Sequence, residues 1–290
     1  MNGGQKQHLL IKHLETQTSE FELEVTPEMA GWKYCGLKVL NLKPKEKKKL
    51  FFEGSELCVL PLKARNVIVT VEGKEYTLKG RDSVFKDISD FIYIPLDTKF
   101  TLYSETGGKF AFPYTKCTKK FAVAYVPKEN IITDIVGGGQ ASRQRVLLTT
   151  PNEFHNADKL IALEVVTPSG NWSSYPPHKH DTISEHETQN EEIYFFLLDD
   201  EEKGFSFMRT YTKDKQIDVT ETVRNGDTFI VPKGYHGPLV TPPGYHIYQI
   251  NVMAGPAEKR SLANCDDPDH HWVRADIDKE PCDKRLPMLK

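Results

Sequence analysis

His178 and His180 stand two residues apart in the stretch YPPHKHD (175–181). Residues at this spacing on a strand point to one face, so both imidazoles can reach a single point. Neutral imidazole is the commonest protein ligand of metal ions, and metal binding is the chemistry on offer. Two ligands make a feeble site, so further donors are needed. The strongest third donor is His236 in VPKGYHGP (231–238). There a strand ends at Val231, and a turn through Pro232 and Gly234 can lean the histidine back into a barrel mouth. His8, His13, His155 and His186 have no such setting, and His246 and the His270–His271 pair receive no assignment.

A carboxylate would complete a mixed nitrogen and oxygen set suited to Zn, Mn, Fe or Ni. Two glutamates compete for the place. Glu185 follows His180 closely, but it lies in the polar run DTISEHETQNE (181–191), which has no strand character. Glu192 opens the apolar run EIYFFLL (192–198). On that strand Glu192, Tyr194 and Phe196 share one face, while Glu191, Ile193 and Phe195 share the other. A glutamate whose face continues with Tyr and Phe looks into an enclosed pocket. Glu192 is therefore the preferred ligand, with 181–191 as a surface loop.

These donors need a scaffold, and the sequence describes an all-β one. Short alternating or apolar runs bounded by turn residues recur along the chain, among them LKVLNL (37–42), NVIVTVEG (66–73), LIALEVVT (160–167), DTFIVP (227–232) and HIYQINVM (246–253). Many short strands at such spacing indicate an antiparallel sandwich or barrel. The segment PKENIITDIVGGGQAS (127–142), with three consecutive glycines, reads as a linker between two strand-rich halves. The phrases GRDSVFKDISDFIYIP (80–95) and RNGDTFIVPKG (224–234) are comparable, and suggest one small barrel unit used twice.

Composition excludes several classes. With 290 residues the chain is long enough for two real cores, and a formal charge of −3 gives no basic footprint for nucleic acid. The basic run KPKEKKK (43–49) reads as a solvated loop. The N-terminus MNGGQKQHLL has no apolar signal core, and the longest apolar run, IYFFLL (193–198), is too short to cross a bilayer. Five cysteines without Cys-x-x-Cys spacing suit reduced thiols. A cytoplasmic protein without nucleic-acid or membrane partners is expected. Oligomeric state is left open, although barrel edges of this kind often pair.

The elements PPHKHD, EEIYFF and GDTFIVPKGYH resemble the two metal motifs of the cupin superfamily, with an enlarged gap between histidines and glutamate. SGNWSSYPPHKHD (169–181), FIVPKGYH (229–236), YQINVMAGP (248–256) and DPDHHW (267–272) resemble, more narrowly, the bicupin uronate isomerases of the 5-deoxy-glucuronate isomerase type. The likeness is dense over about 145–272 and thin before it. It implies a bicupin of two jelly-roll barrels, 1–130 without a metal site and 131–290 with one. It implies one divalent ion per chain (Zn, Mn or Fe) on His178, His180, Glu192 and His236. It also implies an aldose–ketose isomerisation of a small deoxyuronate through an enediolate in myo-inositol catabolism.

The proton-moving base is not named by the sequence; Tyr248, Asp181, a loop glutamate or a hydroxide on the metal are the alternatives. The substrate carboxylate calls for an arginine fork. Arg145 in SRQRVLL (142–148) is the first choice, since the family carries an arginine there, and Arg143 is the second. Tyr194 and Tyr175 are expected to contact substrate, and Trp172 can line the mouth. Rival readings are the related isomerase acting on 4-deoxy-5-ketouronate in pectin breakdown, a metal-dependent cupin dioxygenase, and a non-catalytic sugar-binding or storage bicupin.

Overall fold

The computed structural model describes residues 8–290, and residues 1–7, on which part of the reading of the N-terminus rests, lie outside it. In the first half the strands are β1 (Leu10–Ile11), β2 (Leu23–Val25), β3 (Cys35–Leu42), β4 (Lys47–Leu50), β5 (Ser55–Val71), β6 (Lys74–Arg81), β7 (Phe91–Ile94), β8 (Phe100–Tyr103), β9 (Gly108–Lys116) and β10 (Ala124–Val126), with helix α1 (Pro27–Ala30) after β2. The second half contains β11 (Ile132–Val136), β12 (Arg143–Leu147), β13 (Ile161–Thr167), β14 (Trp172–Ser173), β15 (His178–Lys179) and β16 (Glu191–Leu198). It continues with β17 (Ser206–Tyr211), β18 (Asp218–Val223), β19 (Thr228–Val231), β20 (Tyr235–Val240), β21 (Ile247–Ala254), β22 (Cys265–Asp266) and helix α2 (Trp272–Ile277). The all-β expectation holds, and the strand pairs are antiparallel.

Two sheets of the second half build the site. One runs β1-β19-β16-β21-β13-β12-β11; the other runs β18-β17-β20-β15-β22, with β14 beside β20. The first half forms one connected sheet system around β5, whose register with β9 shifts between Pro61 and Lys63. A single core cluster joins the halves: Val39, Leu60 and Tyr93 from the first pack with Ile193, Phe195, Ile250 and Val252 from the second. A second cluster around Val67, Leu102 and Phe112 fills the first half alone. Removing such apolar surface from water stabilises by roughly 25 cal/mol per Å².

Three details differ from the sequence reading. The expected linker 127–142 contains β11, which pairs along its length with β12 and forms the edge of the site's large sheet. Its alternation was hidden because the strand is an edge with two of its five residues exposed and the other three half-buried. The basic run 43–49 is only partly a loop, since Lys47–Lys49 belong to β4 against β8, and Lys48 pairs with Glu20. Leu10 and Ile11 lie against β19, so the start of the described chain completes the sheet of the far half.

Candidate metal centre

The cross-strand register brings the imidazoles together. His178 on β15 is the direct partner of His236 on β20, and their rings lie 4.5 Å apart. The His180 ring is 4.9 Å from that of His236 and 6.2 Å from that of His178. One ligand atom from each of the three falls within 4.8 Å of the others. His236 is the second residue of β20 rather than part of a loop, and it is fully buried. The turn before it needs Gly234, whose φ is +89° and whose added Cβ would stand 2.6 Å from the Tyr211 carbonyl oxygen.

Glu192 enters from the opposing sheet and is 2% exposed. Its Oε2 lies 2.8 Å from His180 Nε2 and 3.0 Å from His236 Nε2. Asn251 Nδ2 donates to Oε1 at 2.6 Å, and Gln249 Nε2 donates to Asn251 Oδ1 at 3.1 Å. The pairs Glu192↔Met253 and Tyr194↔Asn251 show why: these side chains share the inward face of β16 and β21. Glu185 is exposed on the loop 181–190.

The donor set fits a divalent cation on two observations. His180 Nδ1 faces the Asn190 carbonyl at 3.0 Å, which can only accept, so Nδ1 carries the proton of the neutral ring. Nε2 then presents a lone pair to the Glu192 carboxylate at 2.8 Å. Two acceptors at that distance repel unless a proton or a cation lies between them. His236 Nε2 is also buried with no hydrogen-bond partner, although a carboxylate oxygen is close by. Buried polar atoms are rarely left so.

Burial and the neighbouring His236 and His180 hold His178 well below the usual imidazole range. Burial also opposes charge on His180, but the hydrogen bond and charge of Glu192 outweigh it and raise its pKa. Burial would raise Glu192, yet the His180 and His236 contacts hold it well below the usual carboxylate range. Burial and the Glu192 charge push the Tyr194 phenol well above its ordinary value. Tyr194, 1% exposed and 6.0 Å from the His236 ring, thus stays protonated at the centre's edge.

The remaining expected site residues divide. Arg143 and Arg145 share the inward face of β12, because Arg145 aligns with Val165, Gln249 and Phe196 across the sheet. Tyr175 stacks edge-on with the exposed Trp172, 5.3 Å between rings. Tyr248 is a correction. It aligns with Leu197 and points to the opposite face, where its hydroxyl meets Glu164 and Arg81 in the core between the halves.

Asp181 is a second correction. Its carboxylate accepts from Lys179 Nζ at 2.8 Å and from the Gly234 N–H at 2.7 Å. Burial opposes the charge, but these donors prevail and lower its pKa to about 2, and with both oxygens engaged the carboxylate serves as a clamp. Sequence reasoning missed Asn251 and Gln249, whose signal was two amides at i and i+2 in an otherwise apolar strand. It also missed Glu187, buried in the loop, which accepts from Lys179 Nζ and from the N–H groups of Asp181 and Thr182.

A family model described as the KduI/IolB family matches residues 9–273. The chain is 37% identical over 253 residues to a 5-deoxy-glucuronate isomerase of Geobacillus thermodenitrificans, covering 87% of this chain and 90% of the relative. It is 36% identical over 275 residues to that of Bacillus licheniformis, covering 92% and 98%. Among solved structures, an IolB-like protein from Salmonella typhimurium superposes with a TM-score of 0.84 at 29% identity, over 91% of this chain and 98% of that one. An oxalate decarboxylase of Lactobacillus farciminis reaches a TM-score of 0.64 at 11% identity over 96% and 98%, a likeness of fold alone. The architecture is that of a bicupin.

Proposed function

The chain belongs to the KduI/IolB family, and from that premise we propose that it isomerises 5-deoxy-D-glucuronate to 5-dehydro-2-deoxy-D-gluconate with the aid of a divalent metal ion. The names of its relatives support the reaction. The observation in this chain that carries it is the convergence of three imidazoles and one ionised glutamate, with a lone pair and a carboxylate opposed at 2.8 Å.

His178, His180, His236 and Glu192 would hold one ion per chain; Zn, Mn and Fe all accept such a set. When bound, the ion supplies a Lewis-acid charge beside the substrate's carbonyl and hydroxyl oxygens. The rest falls to the protein. The Asn190 carbonyl fixes the His180 tautomer. Asn251, itself held by Gln249, aims the Glu192 carboxylate. Tyr194 is a neutral phenol beside these groups and can donate a hydrogen bond to a substrate oxygen. The inward face of β12, which carries Arg143 and Arg145, supplies a guanidinium for the substrate's far carboxylate.

We assign this chemistry to the unit from residue 131 onward and a scaffolding role to 1–130. Among the described residues the His178, His180 and His236 group is the one cluster with metal-ligand spacing, which supports one ion per chain. No helix is long and apolar enough to cross a membrane, and a cytoplasmic location fits a sugar-acid isomerase. Offering 5-deoxy-glucuronate and 4-deoxy-5-ketouronate in competition tests the substrate. Faster consumption of the first is expected; preference for the second would move the assignment to the other branch of the family.

A further inference from the structure

Three guanidinium groups lie close enough to influence one another beside the centre, those of Arg143, Arg145 and Arg274. Two of them have carboxylates of their own. Arg145 grips Asp134, its cross-strand partner on β11, with contacts of 2.9 and 2.5 Å. Arg274, on α2, grips Asp266 with contacts of 2.7 and 2.6 Å. A guanidinium already forked onto a carboxylate has little to offer a second one. Arg143 stands apart. Among the described residues it makes a single hydrogen bond, from Nη1 to the Ala141 carbonyl at 3.0 Å, and four of its five donors are left over.

Position adds to this. Arg143 keeps partial surface accessibility, as does His178, yet burial and the charges of Arg145 and Arg274 lower the Arg143 pKa to about 10. A group that water can touch but that is largely desolvated belongs to the wall of a concave space. The Arg143 charge is also felt by His178, and the Tyr194 phenol acts on Arg143. Arg143 stands on the inward face of β12, which continues across β13 and β21 to the face of β16 that carries Glu192 and Tyr194.

We propose that Arg143, and not Arg145, is the receptor for the substrate's carboxylate, with Asp134 and Asp266 holding the neighbouring arginines out of competition, so that the site selects chains bearing a carboxylate at the end opposite the reacting carbonyl. This rests on the isomerase reading above. Three guanidinium groups and two carboxylates leave one positive charge over, which a monoanionic acid neutralises and a neutral sugar does not. Arg145 is thereby a positioning residue, which keeps Asp134 from pairing with Arg143.

The test uses the metal-loaded protein and a ligand that cannot turn over: the polyhydroxy acid made by reducing the aldehyde of 5-deoxy-glucuronate, with its carboxamide as the uncharged control. Calorimetry should show the acid binding more tightly than the amide. Arg143→Gln should weaken the acid about 10- to 100-fold and leave the amide within about threefold, the scale of a lost charge-assisted pair. Arg143→Lys keeps the charge and loses the fork, so it should fall between. Arg145→Lys keeps the Asp134 pair and should change the acid by less than about threefold.

Equal binding of acid and amide by the wild type would overturn the proposal. So would an unchanged acid affinity in both Arg143 variants, or a loss confined to Arg145→Lys. If Arg143→Gln does not fold, the Arg143→Lys and Arg145→Lys pair decides alone. Wild-type protein that binds the acid through Arg143 but does not isomerise the uronate would sink the isomerase reading and leave the carboxylate receptor standing.

Discussion

Glu192 is buried, with the Asn251 amide donating to Oε1 and with Oε2 turned toward the His180 and His236 imidazoles. Glu192→Gln removes the one anionic donor and should cost roughly 100-fold or more in metal affinity, with Asn251→Ala costing about 10- to 100-fold as an outer partner. Glu185→Gln should change metal content little, since Glu185 is exposed. Metal analysis after dialysis reads all three, and greater loss in Glu185→Gln would refute the assignment. Asp181 gives a pH prediction. Its folded pKa of about 2 lies below the ordinary value of 3.8, so the stability it adds is present above about pH 4 and lost as pH falls toward 2. Asp181→Asn should be less stable by about 1–2 kcal/mol at neutral pH, allowing for partial exposure, with the gap closing in acid. An equal gap at pH 7 and pH 2.5 in denaturant titrations would contradict the clamp.

Strands carry these residues, and their period of two decides which face each side chain takes. That period is legible in EEIYFFLL, where it puts Glu192 and Glu191 on opposite faces. The same period in HIYQINVM, followed through, separates Gln249 and Asn251 from Tyr248; the polar amides mark the inward face. What the sequence could not show was register: nothing local reveals that His178 lies opposite His236, or that Asp134 lies opposite Arg145. It therefore ranked Arg145 above Arg143 with the Asp134 pairing out of its reach. Elements of the two halves are also stapled by carboxylates, one buried and one half-buried. Glu56 on β5 accepts from the N–H groups of Asp158, Lys159 and Leu160 at 2.9, 2.6 and 2.8 Å, and Glu191 on β16 accepts from those of Lys33, Tyr34 and Cys35. Glu56→Gln should lower the unfolding free energy by about 1.5–3 kcal/mol while metal content stays intact. A change below about 0.5 kcal/mol would show the staple to be idle.

As a whole, the molecule sets a sheet system without His-x-His against a second one that holds the candidate centre, and shares one core between them. The first half thereby packs behind β16 and β21, whose front faces carry Glu192, Tyr194 and Asn251. A fixed front face suits chemistry that depends on orienting one small sugar acid between a metal and an arginine. The most direct test of this account is proton NMR of purified protein with 5-deoxy-glucuronate, before chelation, after it, and after a divalent ion is restored. The account predicts conversion to 5-dehydro-2-deoxy-gluconate, its loss on chelation, and its return with about one ion per chain. Undiminished conversion in chelated, metal-free protein would contradict it.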